Sequence, residues 1–328
     1  VPRILAAAGT TGQQVARIRR GDIRTMARTL SMIENARDDR VRSLLTHLYP
    51  HTGQSLIVGI TGSPGSGKST LVDRLARFYK QSAKKVGIIA VDPTSPFSGG
   101  ALLGDRVRMQ ALSTDPAIFI RSMATRGRMG GLSESVSDAL IVLEAGGYEV
   151  LIIETVGVGQ DEVDVVRTAQ VTAVVLVPGM GDEIQSIKAG IMEIGDVFVI
   201  NKADRPDTSR TEQELRSALS LATRPDGWDP PIVKTVATLG DGTGELTEAL
   251  TAYHQFSAKD GLPRERKLEL CRQRLVEMVR DNVAERILSQ IPSADFESYA
   301  EKLANRETDP YTLVDLLLEQ SGLGKKLR

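Results

Sequence analysis

Gly62-Ser63-Pro64-Gly65-Ser66-Gly67-Lys68-Ser69 lies between two patterns that together decide the fold. Before it, Leu56-Ile57-Val58-Gly59-Ile60 is the apolar run of a buried strand. After it, Thr70 to Phe78 places apolar residues at helical spacing. A strand, a glycine-rich loop fitting G-x-x-x-x-G-K-[ST] and a helix make the phosphate-binding loop of nucleoside triphosphatases. The glycines let successive backbone N–H groups turn inward on phosphate oxygens, and the helix N-terminus adds its dipole. Residues Gly62 to Thr70 are therefore the expected phosphate cradle. Lys68 is expected at the β/γ-phosphates and the Ser69 hydroxyl on Mg²⁺.

Working outward, the stretch from 56 to 256 alternates short β-branched runs with helical ones. The runs fall at 56–60, 86–91, 117–121, 149–154, 172–177, 197–200 and 232–236. Such alternation implies parallel crossovers and an α/β, mostly parallel, doubly wound sheet. Ligands of such sheets sit at the carboxyl ends of the strands, and the informative residues cluster there. Asp92 follows the second run and opens a Pro/Gly-rich loop, with Asp105 further on. A carboxylate beside a Mg-nucleotide can hold the metal or its waters. The plainer alternatives are a turn cap for Asp92 and a helix N-cap for Asp105. Glu154 ends the apolar run Val150-Leu151-Ile152-Ile153, the usual place of the acid that holds Mg²⁺ directly or through water.

Thr155-Val156-Gly157-Val158-Gly159-Gln160 follows. Acid-x-x-Gly is the arrangement by which small GTPases sense the γ-phosphate. Where Ras-like proteins carry a water-orienting Gln, this chain has Val158, which cannot orient water. Slow intrinsic hydrolysis, accelerated by a partner, is the expectation. Asn201-Lys202-Ala203-Asp204, at the end of the sixth run, is the guanine-reading N-K-x-D motif. The Asp204 carboxylate can accept both the ring N–H and the exocyclic amine of guanine, a pairing adenine cannot offer. Val236-Ala237-Thr238 falls where GTPases place backbone N–H groups against the guanine oxygen. Residues 178–190 read either as a loop leading into a helix or as a switch.

Outside this core, residues 9–49 are helical by periodicity, with Asp22 as an N-cap after Gly21 and the arginines on a solvated face. From Pro263 to Ile291, Leu268, Cys271, Leu275, Met278, Val279, Val283, Ile287 and Ile291 form one apolar stripe on a long helix. Such a helix either packs back on the core or makes a dimer arm. Cys271 is expected there as a small buried residue. The chain thus divides into an N-terminal helical extension (1–52), a nucleotide domain (53–260) and a C-terminal helical arm (261–328).

Composition narrows the partners. Across 328 residues, Lys+Arg of 41 against Asp+Glu of 42 gives no basic excess calling for nucleic acid or an anionic membrane. Aromatics at 4% disfavour a base-stacking surface. No run approaches the ~20 apolar residues of a membrane span. Val1 to Ala8 is too short and too weakly apolar for a secretory signal. A single cysteine suits a reducing, cytoplasmic setting.

The combination resembles a known family. The phosphate loop, Val91-Asp92-Pro93-Thr94-Ser95, Leu103-Gly104-Asp105, Arg108-Met109, Gly130-Gly131, the Glu154 heptapeptide, Pro178-Gly179-Met180-Gly181-Asp182 and the N-K-x-D motif together look like the MeaB/ArgK-type G-proteins. These are GTPase chaperones of adenosylcobalamin-dependent acyl-CoA mutases and include the methylmalonic aciduria type A protein. The resemblance implies a P-loop GTPase with bound GTP/GDP and Mg²⁺. It implies gating of cobalamin loading and protection or reactivation of methylmalonyl-CoA mutase or a sister enzyme, and a homodimer through the C-terminal arm. Lys68, Asp92, Asp105 and Glu154 match the family's phosphate and magnesium positions, and 178–190 its third switch. One departure is Arg121-Ser122-Met123-Ala124, where many members begin Arg-Pro-Ser-Pro. Two alternatives are a nickel-delivering metallochaperone GTPase and a P-loop kinase. The first is weakened by one Cys and only His47, His51 and His254, the second by the guanine motif.

Overall fold

The computed structural model describes residues 10–35, 39–92, 115–124, 131–155, 168–179, 195–221, 224, 226–259 and 262–321. Asp105, the segment 156–160, Met180 and the residues after it to 190, and 125–130 lie outside these.

Seven strands form one sheet, parallel throughout: β1 (Leu56–Gly62), β2 (Val86–Asp92), β3 (Ile118–Ala124), β4 (Val150–Thr155), β5 (Val171–Leu176), β6 (Val197–Asn201) and β7 (Ile232–Thr235), in the order β3-β2-β4-β1-β5-β6-β7. Strands β4, β5 and β6 are buried at every position. That is why they read as continuous apolar runs rather than alternating ones: a parallel sheet is covered on both faces. The expected α/β architecture is the one found.

Each face has its own core. On one, α4 (Lys68–Gln81) and α7 (Thr243–Lys259) contribute Leu71, Leu75, Tyr79, Leu246, Leu250 and Tyr253. Strand residues Val58, Ile60, Ile88, Ile152 and Val175 meet them. On the other face, α5 (Gly131–Ala145) packs with the N-terminal helices α1 (Thr11–Arg19), α2 (Ile23–Asn35) and α3 (Asp39–Leu48). Ile18, Met26, Leu30, Leu44 and Leu48 enter the same cluster as Val136, Leu140 and Leu143, and the alternate strand residues Ile89, Leu151 and Ile153. The N-terminal helices thus complete one side of the sheet. Burying each of these large side chains contributes about 1.5–3 kcal/mol. Two polar contacts fix their placement. Glu144 Oε1 of α5 accepts the backbone N–H groups of Gly53, Gln54 and Ser55 at 2.6, 2.7 and 2.8 Å, where the chain leaves α3 for β1. Arg121 of β3 forks onto both carboxylate oxygens of Glu34 on α2. The expected cap is present: Asp22 Oδ1 accepts the N–H of Thr25 at 2.7 Å, and these bonds hold its carboxyl below the usual range. A third cluster places α6 (Thr208–Leu221) under β5 and β6 through Leu215, Phe198 and Val174.

The chain divides into two compact units, Val1–Glu265 and Arg266–Arg328. Most of α8 (Leu262–Gln290), with α9 (Ser293–Ala304) and α10 (Pro310–Gln320), makes the second. Asp309 caps α10 by accepting from Tyr311 and Thr312, and Gln320 donates to the Tyr299 hydroxyl. At 1.5 Å per residue, α8 is ~44 Å long. Its stripe is open: Leu268, Leu275, Val279 and Val283 are exposed, Leu275 to 64%. Cys271 shares that exposure, so the expectation that it is buried is corrected. Helical periodicity identifies which face is apolar but not what covers it.

Candidate functional site

The order of the sheet makes the site. Growth from β1 proceeds to β4, β2 and β3 on one side and to β5, β6 and β7 on the other, which opens a crevice at the strand ends beside β1. The glycine-rich loop fills it. Gly62 sits at φ 139°, and a Cβ there would lie 2.1 Å from Val175 O. Gly67, the N-cap of α4, sits at φ 90°, and a Cβ there would lie 2.4 Å from the Asn201 amide nitrogen. At both points the loop passes another chain segment so closely that only glycine fits.

Lys68 opens α4, is only 5% exposed, and donates from Nζ to Gly62 O at 2.6 Å and Ser63 O at 2.9 Å. Its ammonium therefore stays inside the loop that its backbone helps form, held by the loop's own carbonyls. Pro64 and Gly65 are exposed at the tip, and Thr70 is half-buried on the first turn of α4.

One residue on lie two of the oxygens expected at the metal. Ser69 Oγ donates to Glu154 Oε1 at 2.6 Å, joining the helix start to the end of β4. Register sets Glu154 level with Ile60 on β1 and Ala90 on β2, so Asp92 lies two residues beyond that level on the neighbouring strand. Among the described residues no three His, Cys, Asp or Glu gather as a metal cluster. The chemistry of Mg²⁺ does not require one. It accepts one or two protein oxygens and completes its octahedron with water and phosphate oxygens. The paired oxygens of Ser69 and Glu154 fit that role, whereas a nickel cargo would need softer ligands.

The end of the site expected to take the base is built around Asn201. Its side chain is buried where β6 ends. Nδ2 donates to Ser66 O in the phosphate loop at 2.7 Å, and Oδ1 accepts from Thr235 Oγ1 and Ala237 N, both at 3.1 Å. One side chain thus fastens the phosphate loop to the turn after β7. Lys202, in the left-handed region at φ 57°, donates from Nζ to Gly65 O at 2.8 Å. It spans the gap between this end and the phosphate loop. Ala203 N donates to Thr235 O at 3.1 Å, and Asp204 is left exposed at the rim. In the turn itself, Val236 N donates to Asp241 O, while Leu239 N and Gly240 N both donate to Val236 O. Arg74, from α4, donates to the carbonyls of Ala237 and Thr238.

The structure therefore brings Gly62 to Thr70, Glu154, Asn201, Lys202, Asp204 and 236–238 to one edge of the sheet. It places the backbone of Asp92 on that edge as well. Thr235 and Arg74 are the participants that sequence reasoning missed. Thr235 had a signal, being the polar residue that ends a strand just before the guanine-loop position. Arg74 had none, since it reads as one more polar residue on an amphipathic helix.

Comparison with known proteins agrees with this geometry. The family described as methylmalonyl Co-A mutase-associated GTPase MeaB matches residues 26–292. A putative GTPase of Pyrococcus abyssi is 45% identical over 309 residues, covering 93% of this chain and 95% of its own. GTPase ArgK of Escherichia coli is 35% identical over 299 residues, covering 88% and 89%. The crystal structure of a LAO/AO transport system kinase superposes with a TM-score of 0.70 at 28% identity, covering 96% of this chain and 98% of that one.

Proposed function

Because the chain belongs to the MeaB family of methylmalonyl-CoA mutase-associated GTPases, we propose that it spends GTP to control the cobalamin cofactor of an acyl-CoA mutase. The reading has it gate loading and protect or reactivate that enzyme, working as a homodimer. Hydrolysis of GTP is the activity of the family. The observation that supports a guanine-nucleotide site is the clasp of Asn201, which ties the phosphate loop to the turn after β7; the mutase partnership rests on the family.

The roles follow from the geometry. The loop N–H groups and the N-terminus of α4 hold the phosphates. Lys68 exchanges its bonds to Gly62 O and Ser63 O for phosphate oxygens and stabilises negative charge on the γ-phosphoryl group as it leaves. When bound, Mg²⁺ would be held by Ser69 and Glu154 and would neutralise charge shared by the β- and γ-oxygens. Glu154 accepts a hydrogen bond from the Ser69 hydroxyl, which leaves the oxygen lone pairs of Ser69 free for the ion it would hold. Asp92 and Asp105 complete the acidic set in this reading. Asp204 takes the guanine N–H groups, with Lys202 along the base plane.

The open stripe of α8 supports the dimer. Leu268, Leu275, Val279 and Val283 are the kind of surface a soluble chain covers with a partner. The lone cysteine of the chain suits a reducing compartment, the cytoplasm in this reading. A kinase activity, as the name of the superposed structure has it for that protein, leaves the guanine-reading end of the site without a purpose.

The partnership is tested by light scattering after chromatography, with the protein mixed with adenosylcobalamin-dependent methylmalonyl-CoA mutase and either GDP or a non-hydrolysable GTP analogue. The expected result is a dimer alone and a complex whose amount depends on the nucleotide. A monomer that ignores the mutase with both nucleotides contradicts the proposal.

A further inference from the structure

Arg74 stands on the second turn of α4, the helix whose first residues are Lys68 and Ser69. Its guanidinium leaves the helix and reaches the turn after β7. Nε donates to Ala237 O at 2.9 Å and Nη2 donates to Thr238 O. Its aliphatic stem lies against Gly240, where a Cβ would come 4.0 Å from Arg74 Cδ. The guanidinium is a planar fork, and here it grips two consecutive carbonyls.

Gripping a carbonyl sets a peptide plane. The peptides here are trans, so a C=O drawn toward α4 sends the N–H of the next residue to the opposite side. Fixing Ala237 O thereby aims Thr238 N–H away from α4. The other two donors of 236–238 already have acceptors inside the protein: Val236 N–H is held by Asp241 O and Ala237 N–H by Asn201 Oδ1. The Thr238 donor is the one whose direction Arg74 decides. Fixing Thr238 O likewise aims Leu239 N–H, which donates to Val236 O at 2.9 Å and closes the turn.

We infer that Arg74 is a positioning residue for guanine: it orients the turn after β7 so that a backbone N–H, chiefly that of Thr238, meets the oxygen at position 6 of the base. The inference rests on the guanine reading of the site and deepens it. It confines the part of Arg74 to the oxygen of guanine, while the ring N–H and the amine stay with Asp204 as in the guanine reading. It also links the base to the phosphates through a single helix, since α4 carries Lys68, Ser69 and Arg74.

Analogues missing defined groups separate the two devices, the turn held by Arg74 and Asp204. Affinity is measured for GDP, for IDP (which lacks the 2-amino group) and for 2-aminopurine riboside diphosphate (which lacks the oxygen and, with it, the ring N–H assigned to Asp204). The proteins are the wild type, Arg74→Ala and Arg74→Lys. Wild type is expected to bind both analogues at least tenfold more weakly than GDP. In Arg74→Ala, GDP affinity falls about tenfold while the aminopurine nucleotide is nearly unaffected, so the aminopurine penalty shrinks about tenfold, by the oxygen's share, and the share of the ring N–H at Asp204 remains. The IDP penalty persists in that variant. Arg74→Lys, which keeps the charge but not the fork, restores part of the oxygen penalty.

An aminopurine penalty as large in Arg74→Ala as in wild type overturns the inference and leaves the guanine reading standing. Equal loss of all three nucleotides in both variants makes Arg74 a residue of the fold and overturns it too. A wild type that does not distinguish the three nucleotides overturns the guanine reading, and the inference with it.

Discussion

Lys68→Ala is expected to reduce GTP turnover by about 10²–10³-fold, the effect of removing one preorganised donor from a developing charge. The ammonium is held at the phosphate loop before nucleotide arrives, by Gly62 O and Ser63 O. That preorganisation is what the substitution removes. Two carbonyls also lose their donor, so the loop loosens and nucleotide affinity falls alongside the rate. Lys68→Arg is not expected to rescue, because the site is buried and shaped for a single ammonium. Steady-state GTP hydrolysis, with circular dichroism to confirm the fold, checks this. Turnover within about threefold of wild type would remove Lys68 from the mechanism.

Asp204→Ala is expected to erase the preference for guanine over adenine nucleotides. Asp204 is exposed at the rim, so the substitution removes its carboxylate at little expense to the fold. Hydrogen bonds to a charged group are worth about 1.5–3 kcal/mol each. Losing two gives roughly 10²–10⁴-fold weaker GDP binding, with ADP binding unchanged. Titration with both nucleotides reads the ratio directly. A preserved preference would show that the base is read elsewhere. The thermal midpoint is expected to stay where it is.

The parts of this site that were legible in the sequence are the ones whose chemistry is local. The phosphate loop carries its glycines and lysine in one stretch, and the guanine motif its Asn, Lys and Asp in another. The strands announce themselves as apolar runs because a parallel sheet buries both faces. Even so, the first run ends at Ile60 in the sequence, while β1 continues to Gly62. Thr61 and Gly62 pair with Val174 and Val175, which lie on a strand far along the chain. The clasp is the same kind of case. Asn201 reads as a base-recognition residue, but its contacts to Ser66, Thr235 and Ala237 exist only once β1, β6 and β7 are ordered in the sheet. Arg74 is less legible still, since an amphipathic helix prescribes a polar residue at its position and says nothing of where that residue reaches. The error at Cys271 has the opposite origin. There the local pattern was read correctly as an apolar stripe, and burial was inferred from it without a covering element.

Asp92 and Glu154 show how far register alone goes. Pairing of β2 with β4 sets the backbone of Asp92 two residues beyond the level of Glu154 at the same sheet edge. The direct bond of Glu154 to Ser69 then ties this carboxylate to the start of α4.

The most direct test of the whole account is the rate of GTP hydrolysis by the purified protein, alone and with an equal concentration of methylmalonyl-CoA mutase, with ATP as the control nucleotide. The account predicts intrinsic turnover below about 1 s⁻¹, on the scale of GTPases without a completing partner. It predicts acceleration by the mutase for GTP and none for ATP. Hydrolysis of ATP at the rate of GTP, or a GTP rate unmoved by the mutase and by sister acyl-CoA mutases, would contradict it.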